Sequence, residues 1–259
     1  MEVADQELAL SEGLSDGDIG WVHSWDLVTG ADGPGSRMTL FLAGCGMRCQ
    51  FCHNPDTWKM KDGVPRSVSQ IMDRVSRYSQ LMKVTGGGLT VSGGEPLLQA
   101  RFVANLFHRA KTELNVHTAL DTAGLLGARL TDTELLDIDL TLLDIKSGLP
   151  ETYKRVTGRP LQPTLDFARR LSSLGRTTWI RFVLVPGLTD APENVDVLAD
   201  FVATLDGVER VEVLPFHQLG RDKWAATGEP YLLGDAVPPT PELLERVRGQ
   251  FRERGLTTY

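Results

Sequence analysis

The hydrophobic positions of this chain follow two alternating patterns from Ile19 onward: short apolar runs, and longer stretches with helical spacing. The short runs predict buried strands at residues 38–43, 89–92, 116–120, 140–143, 178–185 and 208–214. The clearest helical stretch runs from Val68 to Met82, behind Ser67 as an N-cap. Helical spacing recurs at residues 97–112, near Leu135, and at 164–174, 195–205 and 241–255. Strands that alternate with helices in this way predict an α/β fold with a parallel sheet.

Six strand–helix units are fewer than the eight that close a barrel, so we expect an open, partial (β/α)6 TIM-like barrel. Residues 19–259 show no internal boundary, and we expect them to form a single domain. Residues 1–18 are acidic, polar and aperiodic, and we expect them to be a mobile tail. The chain has 41% hydrophobic and 24% charged residues, which is ordinary for a globular protein.

The charge and the hydropathy narrow the classes of partner. A formal net charge of −7 argues against a general nucleic-acid binder, which needs a basic face. No apolar run approaches the roughly 18 residues of a membrane span. Residues 1–36 contain no Lys or Arg, whereas secretory and transit peptides are basic near their start. We therefore expect a cytoplasmic protein without a membrane or nucleic-acid partner.

Polar and small residues follow directly after the predicted strands. Cys45 follows the first strand, and residues 93–95, 121–122 and 144–146 follow the next three. His217 follows the sixth. Because the carboxyl ends of parallel strands meet at one rim of a barrel, these positions are expected to converge.

The three cysteines of the chain, Cys45, Cys49 and Cys52, have the spacing C-x3-C-x2-C. Thiolates are the usual ligands of iron–sulfur clusters, and three of them can hold three corners of a cubane and leave its fourth iron open. A structural zinc site is the alternative, although it normally takes four ligands and only His53 is nearby. Inert core cysteines are a second alternative.

Further short motifs accompany the cysteines in a fixed order, at residues 32–37, 52–58, 86–88, 92–95, 120–122, 143–146, 179–181, 185–187 and 214–217. With these motifs the chain resembles the family of pyruvate formate-lyase activating enzymes, which belongs to the radical S-adenosylmethionine superfamily. The resemblance extends from about Ile19 to the last residue. It implies a [4Fe-4S] cluster whose open iron chelates the amino and carboxylate groups of S-adenosylmethionine. One-electron reduction then cleaves this cosubstrate to methionine and a 5′-deoxyadenosyl radical.

The resemblance also implies a role for individual residues. Those expected to contact S-adenosylmethionine are Phe51, Cys52, His53, Gly93, Gly94, Glu95, Asp144, Ile145, Lys146, Arg181 and His217. Within this set the two glycines present main chain to the methionine group, and Lys146 and Arg181 neutralise its carboxylate. Asp121, Thr122 and Asp144 match a monovalent-cation site beside that carboxylate.

The implied substrate is a protein, namely a glycine loop of pyruvate formate-lyase, on which the enzyme generates a glycyl radical under anaerobic conditions. The implied electron donor is a flavodoxin or ferredoxin, and we expect a monomer. An activating enzyme for another glycyl-radical enzyme is an alternative. Many of those carry an insert with eight more cysteines, whereas this chain has three cysteines in all. A non-catalytic metal-binding or scaffold protein is the alternative from another class.

Overall fold

One eight-stranded sheet forms the centre of the computed structural model, which describes residues 17–259. Its strands are β1 (Ile19–Thr29), β2 (Ser36–Leu42), β3 (Val64–Ser67), β4 (Gly88–Gly93), β5 (His117–Thr122), β6 (Leu140–Asp144), β7 (Thr178–Leu184) and β8 (Val208–Pro215). Their order is β3-β1-β2-β4-β5-β6-β7-β8. Within the described residues the edge strands β3 and β8 do not pair with each other, so the barrel is open.

Six of these strands correspond to the six apolar runs of the sequence. Strands β2, β4, β5, β6, β7 and β8 are parallel neighbours, which confirms the predicted open α/β partial barrel. Strand β1 pairs antiparallel with both β2 and β3 and extends the sheet at one edge. Strands β1 and β3 were not predicted. Residues 24–29 of β1 have mostly exposed or half-buried side chains, and therefore show no apolar run.

Helices connect the parallel strands and cover the sheet. They are α1 (Val68–Val84), α2 (Ala100–Leu114), α3 (Asp132–Leu135), α4 (Pro150–Thr157), α5 (Gln162–Ser173), α6 (Pro192–Val202), α7 (Arg221–Thr227) and α8 (Pro241–Arg252). Ser67 caps α1 as predicted, in a capping box with Gln70. Helices α4 and α7 were not predicted, because they have only eight and seven residues and show too few turns for a periodic pattern.

The main core lies between the sheet and its helices. Phe107 of α2, Phe182 of β7 and Phe251 of α8 are almost completely buried there. The rings of Phe182 and Phe251 meet edge to face with centroids 6.2 Å apart. No helix of the described part of the chain is long and apolar enough to cross a bilayer.

Of the predicted mobile tail at residues 1–18, residues 1–16 lie outside the described residues. Asp18 lies within them, and its carbonyl oxygen accepts a hydrogen bond from the Val68 N–H at the start of α1, at 2.8 Å. The division into a tail and a domain stays a prediction.

The turn before β4 provides a test of the packing between β2 and β4. A Cβ atom on Gly87 would lie 1.8 Å from the carbonyl oxygen of Ser36, which is backbone and cannot move aside. Gly86 has φ +64°, but a Cβ atom added to it would meet no other atom within 4 Å. We expect Gly86→Ala to lower the free energy of unfolding by about 1–2 kcal/mol, the cost of a left-handed backbone.

We expect Gly87→Ala to cost about 3 kcal/mol or more, because the clash forces β2 and β4 apart. Chemical denaturation of both variants beside the parent measures the difference. Equal losses in the two variants would show that the close approach of Gly87 to Ser36 is not a constraint on the fold.

Candidate functional site

The loop that carries the three cysteines begins directly after β2 and is held on two sides by backbone hydrogen bonds. On one side the N–H groups of Gly44 and Cys45 donate to the carbonyl oxygens of Thr57 and Trp58, at 2.7 and 3.0 Å. On the other side the loop contacts the last turn of α4. There the Arg48 N–H donates to Thr157 O at 2.9 Å, and the Gln50 N–H to Val156 O at 3.0 Å. The free carbonyl groups at the end of α4 are thereby satisfied.

Cys45, Cys49 and Cys52 are half-buried and line one cavity of about 760 Å³. Among residues 17–259, no three His, Cys, Asp or Glu side chains converge closely enough to hold a single metal ion. A cubane cluster does not need such convergence, since it takes one thiolate at each of three separate irons. Three thiols that line the same cavity therefore fit a cubane cluster. Burial raises the pKa of the Cys45 thiol to about 11, and it also raises the pKa values of the other two thiols. Metal binding would consequently release protons.

The strand ends converge on the same cavity. The predicted residues that line it, besides the cysteines, are Phe51, His53, Gly93, Gly94, Glu95, Asp121, Thr122, Asp144, Lys146, Arg181 and His217. Ile145 is placed differently: its side chain is fully buried in the core and does not line the cavity. Only its main chain is close to the site, where the Ile145 N–H donates to Arg181 O at 3.0 Å.

The glycine pair at the end of β4, Gly93 and Gly94, packs against the cysteine loop. The Gly94 N–H donates to Leu42 O at 2.9 Å, and the Glu95 N–H donates to Gly44 O at 2.8 Å. A Cβ atom on Gly94 would lie 2.3 Å from Gly44 O and 3.2 Å from the Cβ atom of Cys45. Gly93 has φ +118°, a conformation that favours glycine. The missing side chains thus allow the main chain of β4 to contact the loop that carries the thiols.

Glu95 is a buried carboxylate that braces the ends of β4 and β5. It accepts hydrogen bonds from the Thr122 hydroxyl at 2.5 Å and from the N–H groups of Ala123 and Leu97 at 3.0 and 3.1 Å. Burial raises the pKa of this carboxyl, and the three donors act against that shift. Both of its oxygens thus accept hydrogen bonds from protein donors, so Glu95 is placed to brace the two strand ends.

Two buried cations of the cavity are each engaged with carboxylates. Arg181 lies 3.0 Å from Glu212, 3.4 Å from Asp121 and 3.7 Å from Asp32. The Nζ atom of Lys146 donates to Asp144 at 2.6 Å. Four carboxylates thus lie around these two cations, and a third cation, Arg210, pairs with Glu212 at 2.8 Å. Burial raises the pKa of Asp121, although Arg181 opposes the shift. The group has an excess of negative charge when all its acids are ionised.

Two of these acids, Asp32 and Glu212, were not among the predicted site residues. Glu212 is one of two acids on β8, which also carries Arg210, and an acidic residue in a predicted buried strand was the signal that could have identified it. Asp32 lies in the glycine-rich turn between β1 and β2. Arg37 helps to hold that turn in place, since its buried guanidinium donates to the Thr90 hydroxyl at 2.6 Å. The Thr90 hydroxyl in turn donates to the carbonyl oxygen of Asp32 at 2.7 Å.

Two histidines, His53 and His217, also line the cavity. The rings of His53 and His217 stack with centroids 4.0 Å apart and an angle of 29° between their planes. Burial, assisted by the neighbouring His217, lowers the pKa of His53 to about 4, so this imidazole is neutral near pH 7. Helix α7, which was not predicted, holds this part of the cavity in place, since the Trp224 indole N–H donates to Cys52 O at 2.9 Å.

The sequence of the chain is similar to those of several proteins of known family. The chain is 41% identical over 241 residues to pyruvate formate-lyase 1-activating enzyme of Escherichia coli, with 92% of this chain and 97% of the relative covered. It is 43% identical over 248 residues to the pyruvate formate-lyase-activating enzyme of Streptococcus mutans, with 93% and 92% covered. The profile of the family described as 4Fe-4S single cluster domain matches residues 31–149.

Solved structures with the same fold include a domain of a pyruvate-formate lyase-activating enzyme from Bacteroides vulgatus. Its sequence is 26% identical, its TM-score is 0.57, and 67% of this chain and 98% of that domain are covered. A radical SAM methyltransferase from Sphaerobacter thermophilus has a TM-score of 0.59 at 17% identity, with 98% of this chain and 80% of that chain covered. The latter likeness shows the fold alone.

Replacing Glu95 tests whether its carboxylate braces the strand ends. In Glu95→Gln an amide group takes the place of one accepting oxygen and meets an N–H or hydroxyl donor that it cannot satisfy. We expect the free energy of unfolding to fall by about 1–3 kcal/mol. Glu253→Gln is the matched control, since Glu253 is exposed at the end of α8 and should change stability by at most about 0.5 kcal/mol. Equal denaturation midpoints for the two variants would contradict the bracing role.

Proposed function

The chain belongs to the family of pyruvate formate-lyase activating enzymes, and we propose that it activates a pyruvate formate-lyase by generating a glycyl radical on that protein under anaerobic conditions. The observation that carries this proposal is the convergence of three thiols and five parallel strand ends on one cavity. The two named relatives cover nearly the whole chain, so the proposal does not rest on a shared fragment.

We propose that Cys45, Cys49 and Cys52 hold three irons of a [4Fe-4S] cluster and that S-adenosylmethionine occupies the rest of the cavity. When bound, the cluster and the cosubstrate supply a 5′-deoxyadenosyl radical by one-electron reductive cleavage. The protein binds and orients them. Lys146 and Arg181 are the two cations of the cavity that we assign to the methionine carboxylate, and Arg248 is a third cation in its lining. The main chain at Gly93 and Gly94 lies beside the cysteine loop.

The adenosyl portion is assigned to the aromatic side of the cavity. Phe51 packs with Val156, Val185 and Phe216 in a small separate core, which fixes its ring at the cavity wall. His53 and His217 form the stacked pair beside it. A neutral His53 can accept or donate a hydrogen bond without adding charge next to the cluster loop.

A monovalent cation is proposed beside Asp121, Thr122 and Asp144. Its support is electrostatic: four carboxylates face the three cations Arg181, Lys146 and Arg210, and a carboxylate of the cosubstrate would add a fifth negative charge. A bound cation would offset this excess. The Thr122 hydroxyl already donates to Glu95, so it would offer only its oxygen lone pair to a cation.

The open sheet supports a protein substrate. The strands β3 and β8 leave the barrel unclosed within the described residues, so that a peptide loop can approach the cavity from the side. Glycine is suited to this reaction, since its missing side chain allows close approach of the backbone to a buried radical source. The radical left on the α-carbon is stabilised by the flanking amide nitrogen and carbonyl group.

The proposal is tested by following hydrogen from the partner glycine. Anaerobically reconstituted protein, S-adenosylmethionine and a photoreduced flavin are mixed with pyruvate formate-lyase that carries α-deuterated glycine. We expect a glycyl radical in the paramagnetic resonance spectrum and deuterium in 5′-deoxyadenosine. With unlabelled glycine the signal should be a doublet from the one remaining α-hydrogen.

Cys49→Ala is the control and should abolish both signals, whereas the parent should contain about four irons and four sulfides per chain. Deuterium that reached 5′-deoxyadenosine only from a labelled small metabolite would overturn the protein-substrate proposal. An unlabelled product together with unchanged S-adenosylmethionine would overturn the enzyme assignment itself.

A further inference from the structure

Four exposed cations surround the outer side of the cysteine loop: Arg48, Lys154, Arg155 and Arg159, which we call the basic rim. Arg48 belongs to the loop itself. The other three lie on the last turn of α4 and just after it, where the loop is anchored by the hydrogen bonds of Arg48 and Gln50 to Thr157 and Val156.

Two members of the basic rim have a structural role in the loop. The Arg48 guanidinium donates to the carbonyl oxygens of Cys45 and Met47, at 2.9 and 2.7 Å, and lies 4.7 Å from the centre of the Trp58 ring. The Nε atom of Arg159 donates to Gly46 O at 2.5 Å. These contacts place two positive charges directly over the main chain that carries the thiols.

The side chains of Lys154 and Arg155 make no such contacts with the loop. The only hydrogen bond of the Arg155 guanidinium among the described residues is a long one, at 3.4 Å, to Leu188 O. The loop bonds instead to the main chain of Arg155, whose carbonyl oxygen accepts from the Gln50 amide at 2.8 Å. Loop architecture therefore does not account for the charges of Lys154 and Arg155.

Ion pairing does not account for them either. Within residues 17–259, no member of the basic rim lies within 4.0 Å of a carboxylate. Other exposed cations do have such partners, for example Arg109 with Glu113 and Arg170 with Asp132. The chain as a whole has a formal net charge of −7, so the basic rim is a local patch of the opposite sign.

We infer that the basic rim is the docking surface for an acidic one-electron donor protein. The inference rests on the proposed function, which requires one electron from outside for each cleavage. In the step itself the reduced donor loses one electron and the cluster gains it, with no bond formed or broken. A patch of unpaired positive charge next to the cluster loop would attract an acidic donor to the face from which its electron has the shortest path to the cluster. The negative charge of the rest of the protein would disfavour docking elsewhere.

The test is charge reversal at the two cations that do not support the loop. Lys154→Glu/Arg155→Glu is compared with Arg77→Glu/Lys83→Glu, which reverses two exposed cations on α1, a helix that packs on β2 and β4. The probe is an acidic flavodoxin, and calorimetry measures its dissociation constant for the oxidised, cluster-loaded protein. Stopped-flow absorbance then measures the second-order rate constant for reduction of the cluster.

At low ionic strength we expect the variant of α4 to bind flavodoxin about tenfold more weakly and to be reduced about tenfold more slowly. The rate constant of the parent should fall as salt is added, and that of the variant should depend less on salt. The α1 variant should behave as the parent. Lys154→Gln/Arg155→Gln should give intermediate values, which separates the charge effect from any disturbance of α4 by the introduced acids.

Unchanged affinity and rate in the α4 variant would overturn the inference. A second outcome would also overturn it. If the α4 variant bound the donor normally but activated pyruvate formate-lyase poorly with a small-molecule reductant, the basic rim would be a docking surface for the protein substrate. Failure of the proposed function would be distinguishable from failure of this inference. In that case the parent protein would leave S-adenosylmethionine intact in the presence of dithionite, while its binding of flavodoxin could still be measured.

Discussion

The close approach of Gly94 to Gly44 is the contact on which the site depends. The Glu95 N–H donates to Gly44 O at 2.8 Å, and the space between the two chains has no room for a side chain on Gly94. This contact fixes the cysteine loop against the ends of β4 and β2. Because the strands are parallel, it also fixes the loop against the residues that follow β5, β6 and β8 and against Arg181 of β7. A single main-chain junction thus relates the thiols to every other group of the cavity.

Charge is the second organising feature, and it is distributed unevenly. Inside the cavity four carboxylates surround Arg181 and Lys146, whereas outside the cysteine loop the cations of the basic rim have no carboxylate partners among the described residues. Buried ion pairs of the first kind are costly to form and strongly position their members. Exposed cations of the second kind contribute little to stability and act at longer range. The two sets therefore suit different tasks, namely holding a small zwitterion and attracting an acidic protein.

The sequence predicted the parts of this site that depend on order along the chain. The parallel strands were visible as apolar runs, and the residues after them converge on the cavity, with the exception of the Ile145 side chain. Contacts between distant segments could not be predicted. The partners of Arg181 come from the β1–β2 turn, β5 and β8, and nothing along the chain indicates that Asp32 and Glu212 meet at one arginine. Helices α4 and α7 were missed because one or two turns give no measurable period, although both contact the cysteine loop.

We propose that the strand ends hold S-adenosylmethionine against the open iron of a cluster bound by three thiolates. Electron–nuclear double resonance of the frozen, reduced protein tests it most directly, with the cosubstrate labelled by nitrogen-15 in its amino group and oxygen-17 in its carboxylate. We expect hyperfine coupling of both labels to the cluster, because both groups would be bound to one iron. A normal cluster signal without coupling to either label would contradict it.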